Sequence, residues 1–229
     1  MLAFMASSMV VAAVSTFSSP LALETSLTGA GRYSFARLTA LAVSPVSDRF
    51  AVADENLNRV FIFQSSGRLD FVIGETGFLV APRALCFEDD ATLLVVTKDR
   101  LVLRIADASP EECDTVADLK TTTRTSQLKS VSHVIKNRSG FMVLDPELGQ
   151  ITQLDTLWTF VKTVIGHGHG VRGKVWEPTD LERDLAGKLI VADRGDFPVQ
   201  VFATTGTPLF VADWNTPAGQ QSWEATAVA

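Results

Sequence analysis

Arg49–Phe63 reads RFAVADENLNRVFIF: two apolar β-type runs, FAVA and VFIF, with the polar turn DENLNR between them. The pattern returns at Leu189–Phe202 as LIVADRGDFPVQVF. The two copies align without a gap from Ala53-Asp54 to Phe63 and from Ala192-Asp193 to Phe202. A strand–turn–strand unit written twice in one chain points to an internal repeat.

Working outward, short β-branched and aromatic runs dominate, among them LTALAV (38–43), LDFVI (69–73), TLLVVT (92–97), FMVL (141–144) and FVKTVI (160–165). Gly, Pro, Asp and Asn separate them, and helical periodicity is hard to find. The chain therefore reads as all-β. A period follows. First-strand anchors Ala40, Ala84, Ser132 and Asp180 step by 44, 48 and 48 residues, and second-strand ends Asp54, Thr97, Asp145 and Asp193 by 43, 48 and 48. Each unit holds about four strands, which is the make-up of a β-propeller blade.

The joints repeat as well. Gly29-Ala-Gly31…Phe35 leads into the first unit, Gly74-Glu-Thr-Gly77…Pro82 into the second, and Gly166-His-Gly-His-Gly170…Trp176-Glu-Pro-Thr-Asp180 into the fourth. Residues 119–130 keep the length but lose the glycines. A Gly-rich joint, Phe or Trp, Pro-Thr-Asp, a strand, a turn, VAD, a polar turn, RVFIF or VQVF and a Ser-Gly or Thr-Gly turn resemble the NHL repeat. Units one and four carry the resemblance best, and it covers residues 29–214. It implies NHL-type blades at about 35–77, 78–119, 130–168 and 175–213, with a tail at 215–229. In each VAD, the Asp54 or Asp193 carboxylate is expected to accept backbone N–H bonds in the following turn.

Residues 1–28 have two readings. Their Met9–Leu27 part has two β runs around an STFSSP turn, as in strands three and four of a blade, and this half blade is favoured. The other reading is a secretory signal over residues 1–18, weakened by the absence of Lys or Arg at its start. Four units and a half fall short of the six blades typical of the family. The expectation is an incomplete six-bladed ring and a fragment of a longer protein.

The 229 residues, 46% of them hydrophobic, suffice for one or two cores. A net charge of −6 excludes a surface that coats DNA or membrane throughout, and no membrane span is expected. Two cysteines, Cys86 and Cys113, are too few for a disulfide scaffold or a cysteine-rich zinc module and read as inert thiols. His167-Gly-His169 offers two metal ligands without a readable third, so neither metal nor cofactor is assigned. The amidating lyases among NHL-like proteins use histidine-bound zinc, but three histidines and one tyrosine supply such a site poorly. The RGD at 194–196 falls in the same polar turn as Glu55-Asn56-Leu57, and Asn137-Arg-Ser139 is a sequon that matters only in a secreted chain.

Charge segregation is the most suggestive feature. Lys120–Leu144 contains no acid but five cations, Lys120, Arg124, Lys129, Lys136 and Arg138. Joints and post-strand-two turns emerge on one face of a propeller. That places Arg59, Lys120, Arg124, Lys129, Arg172, Lys174 and Arg194 on one basic rim, with Trp176 beside them. The resemblance to the propeller of tripartite-motif NHL proteins implies a non-catalytic, cytoplasmic platform whose rim binds protein or RNA. The alternatives are an extracytoplasmic propeller binding a small ligand and, less favoured, a metal-dependent lyase or hydrolase.

Overall fold

A computed structural model describes residues 2–3, 9–13, 25–121 and 128–211. Among them there is no helix. Strands β1 (Leu2–Ala3), β2 (Met9–Ala13) and β3 (Thr25–Leu27) form a three-stranded sheet, and β4 (Gly29–Ala30) pairs with β5 (Tyr33–Ser34). Four antiparallel four-stranded sheets follow, the blades of a β-propeller. Blade 1 is β6 (Leu38–Val43), β7 (Arg49–Asp54), β8 (Arg59–Gln64) and β9 (Leu69–Ile73). Blade 2 is β10 (Pro82–Phe87), β11 (Thr92–Thr97), β12 (Leu101–Ala106) and β13 (Asp114–Asp118). Blade 3 is β14 (His133–Asn137), β15 (Gly140–Asp145), β16 (Gln150–Leu154) and β17 (Phe160–Ile165). Blade 4 is β18 (Pro178–Arg183), β19 (Leu189–Asp193), β20 (Val199–Phe202) and β21 (Pro208–Val211). The chain divides after Asp118 into two compact units, with blades 1 and 2 in the first and blades 3 and 4 in the second.

In the first unit, the period of two along a strand decides which layer each side chain joins. Ala51, Ala53, Val60 and Ile62 face blade 2 and meet Leu85, Phe87, Leu93 and Val95. Their neighbours Phe50, Val52, Phe61 and Phe63 face the other way, onto Ala30, Tyr33 and Phe35. There Phe50 stacks on Phe63 with centroids 5.2 Å apart, and Tyr33 and Phe35 meet Phe61 edge-on. Burying each such side chain is worth about 1.5–3 kcal/mol, so both faces of blade 1 hold it in place. In the second unit the core lies between Met142, Leu144 and Ile151 of blade 3 and Leu181, Val191 and Phe202 of blade 4.

One device recurs in three blades. The buried Asp54 carboxylate accepts hydrogen bonds from Ala36 N (2.7 Å) and Arg37 N (3.1 Å) in the joint, and from Asn56 N and Leu57 N (both 3.0 Å) in the turn. Asp145 does the same for Lys129 N and Ser130 N, and for Glu147 N and Leu148 N. Asp193 accepts from Trp176 N, Glu177 N and Gly195 N. The turn bonds are those expected from the sequence, and the joint bonds are additional. Each carboxylate thus ties a blade's entry to its second turn. Blade 2 has Thr97 there, whose Oγ accepts from Leu101 N. The joint N–H of Ala81 is met instead by Asn58 Oδ1 of blade 1, at 2.8 Å.

Candidate functional site

In the second unit the joint between blades 3 and 4 is a compact loop. Val175 N donates to Gly166 O, Gly168 N to Val175 O, and Lys174 N to Val171 O, while His167 bridges Val175. Beneath it, the buried Gln200 of β20 accepts from Gly173 N (3.0 Å) and donates through Nε2 to Lys174 O (2.6 Å). A polar side chain within a buried strand is costly unless bonded, and here both amide ends are used to pin the loop.

The loop gathers aromatic rings at the rim. Trp176, 37% exposed, has the His167 ring at 4.7 Å, tilted by 34°, and the His169 ring at 4.8 Å, edge-on. Gly149, in the turn between β15 and β16, makes room for them. It has φ +59°, and a Cβ there would come within 2.3 Å of His167 Nδ1. Asp196, in the β19–β20 turn, approaches His169 Nδ1 at 3.9 Å. Among the described residues no group of three or more His, Cys, Asp or Glu side chains is placed to hold a metal ion.

Five of the cations expected at the rim, Lys120, Lys129, Arg172, Lys174 and Arg194, are exposed in the second unit. Lys174 lies across Gly168 and is exposed beside Trp176. Arg194 is exposed in the β19–β20 turn, with its N–H on Glu177 O. Lys129 is exposed at the entry to blade 3, and Lys120 is exposed just after β13. Arg172 turns instead toward the outer strand, lining a shallow depression with Pro208, Leu209, Phe210 and Val211. Arg124 lies outside the described residues. Acids share the rim: Glu177 and Asp196 are exposed there.

Arg59 belongs to the first unit, where the structure reveals cations the sequence reading did not single out. Arg37, Arg83 and Lys98 converge on Glu55, whose side chain is 7% exposed. The legible signal was Glu55 itself, an acid directly after a buried aspartate in a turn. Its burial, which depends on blade 2 lying against it, was not legible.

His133, the third histidine, sits apart from these groups. Its Nδ1 is 3.1 Å from Ser132 Oγ and its Nε2 is 2.7 Å from Asp180 Oδ1, linking β14 to β18. Neither cysteine is in a disulfide, Cys86 is buried, and burial pushes the Cys113 thiol above its ordinary pKa.

No helix among the described residues is long and apolar enough to cross a membrane. No protein-family model matches the chain. No curated protein matches it either. Among solved structures, the chain is similar to one described as the crystal structure of a nidogen/laminin complex, with a TM-score of 0.56 at 13% identity. The match covers 72% of this chain and 60% of that one, so this chain spans three fifths of its neighbour's length. At that identity the likeness speaks for the fold, and the fold is a β-propeller.

Proposed function

We propose that this chain is a non-catalytic, NHL-type propeller that binds a protein partner through its rim. The observation that carries the reading is the loop 166–176, in which Trp176, His167 and His169 form an exposed aromatic cluster beside Lys174 and Arg194. Protein interfaces are enriched in such rigid aromatic anchors, because few rotamers are lost on binding. Backbone bonds and Gln200 already hold this loop in place. The flanking cations favour an acidic segment in the partner.

RNA fits less well. Single-stranded bases need open aromatic faces to stack on, whereas Trp176 is already in contact with two imidazoles. The neighbouring solved structure is described as a complex of proteins, which agrees with a protein partner but does not identify one. Two cysteines outside any disulfide agree with a reducing compartment, and the cytoplasm is the location this reading carries.

The test is a binding screen of the folded, monodisperse chain against acidic peptides and pooled RNA oligonucleotides at two salt concentrations. Peptide binding that Trp176→Ala weakens at least tenfold supports the reading. Saturable RNA binding that falls steeply with salt, and falls again in Lys174→Ala/Arg194→Ala, transfers the rim to nucleic acid. Binding to neither overturns the platform.

A further inference from the structure

The first unit carries a charge arrangement that the loop 166–176 does not share. Glu55 follows the buried Asp54 at the β7–β8 turn and is itself buried. Its Oε1 accepts from Arg83 Nη2 at 3.0 Å and lies 3.6 Å from Lys98 Nζ, and its Oε2 lies 3.2 Å from Arg37 Nε. One carboxylate therefore collects three cations, from the joint before β6, from β10 and from the turn after β11. Arg59 adds a fourth at the same end of blade 1, directly opposite Asp54 in the β7–β8 register.

Asp54 and Glu55 supply two negative charges against Arg37, Arg59, Arg83 and Lys98, and Glu75 faces Arg59 as a third. Asp54 is wholly engaged by four backbone N–H groups. Asp99 is exposed beside Lys98, and Arg100 follows it. The Arg37 and Lys98 side chains remain 54% and 63% exposed. A second observation points the same way. Arg59 Nε and Arg83 Nε are buried N–H donors with no hydrogen-bond partner, so the donor side of the network is incomplete as it stands. Buried polar networks are ordinarily satisfied, and a bound ion is one of the standard reasons for an apparent gap.

We infer that Glu55 acts as an internal template holding Arg37, Arg83 and Lys98 in a fan that receives a carboxylate from an acidic segment of a protein partner. Guanidinium groups match carboxylates as two-pronged donors, and the incoming anion relieves the repulsion among the gathered cations. A nucleic acid is disfavoured because the exposed large apolar side chains described in this unit are Val43, Val46 and Val80, none of them a stacking ring. The inference rests on the reading of the chain as a protein-binding platform, but it uses different residues.

The test follows the arginine Nε–Hε resonances of the full chain during titration with a hexaglutamate peptide at low salt, with assignments from Arg37→Lys and Arg83→Lys. The Arg37 and Arg83 signals are expected to shift saturably. The exposed double variant Arg37→Ala/Lys98→Ala, checked for folding by circular dichroism, should raise the dissociation constant at least tenfold, while Lys162→Ala, which removes an exposed cation of β17, should leave it within twofold. Motionless Arg37 and Arg83 signals overturn the inference. If Trp176-dependent peptide binding persists in that case, the platform reading survives without it. If an oligouridylate moves the same signals at lower concentration than hexaglutamate does, the fan is a phosphate site and the inference also fails.

Discussion

His133 Nε2 lies 2.7 Å from Asp180 Oδ1, and this contact joins the first strand of blade 3 to the first strand of blade 4. Blades meet mainly through apolar side chains, so a polar tie between first strands is a distinct kind of link. In a double-mutant cycle, His133→Ala and Asp180→Asn are each expected to lower stability, with a coupling of about 1 kcal/mol for this partly exposed pair. Additive effects in urea unfolding would show that the contact contributes nothing of its own.

The repeated aspartates should be far more sensitive. Asp54→Ala leaves four backbone N–H groups without their acceptor, and Asp193→Ala leaves three. Each unsatisfied buried group costs about 1–3 kcal/mol, although water will reach some of them. Both variants should lose about 3 kcal/mol or more, or fail to fold, and Thr97→Ala should lose far less. Comparison of their denaturation midpoints checks the ranking.

Gly149→Ala is expected to disturb the rim without touching its charged residues. The left-handed backbone, and a Cβ within 2.3 Å of His167 Nδ1 and 2.8 Å of Trp176 O, force the ring or the loop to move. The expected cost is about 1–3 kcal/mol, with a changed tryptophan emission. Unaltered emission and stability would mean that the His167–Trp176 contact is not held from below.

Asp145 should leave a signature in the pH dependence of stability. Burial pushes its carboxyl above the ordinary value, outweighing the N–H donors of Lys129, Leu148, Ser130 and Glu147 that pull it down. The fold then binds this proton more tightly than the unfolded chain does. Its contribution favours the fold at low pH and is lost as pH rises from about 4, the unfolded value, through the folded one. The stability advantage of the wild type over Asp145→Asn should therefore narrow as pH rises from about 4. A widening gap in urea titrations would show that the four donors win.

The blades were legible because VAD, the apolar runs and the glycine joints are local signals with a fixed spacing. The 43- to 48-residue rhythm needs no knowledge of what touches what. Gln200 was less legible. In VQVF it looks like an outward polar residue of an alternating strand, yet it is buried and its amide is spent on Gly173 and Lys174. The surroundings of Arg172 were not legible either. It belongs to the predicted loop, but the turn at Gly173 packs against Pro208 and carries the arginine toward β21. The fan around Glu55 joins residues as far apart as Arg37 and Lys98. No spacing rule announces a contact that depends on how two blades lie together.

The aspartate ties recognise only main-chain N–H groups, which every residue except proline can offer. The ties therefore do not dictate the residue that follows each aspartate: Glu55, Pro146 and Arg194 occupy that step in blades 1, 3 and 4 with three different side chains. Such a scaffold can exchange its outward vocabulary one residue at a time while these three blades still close on the same kind of bonds. Diversity of partners across propellers of this build would then require no change of architecture.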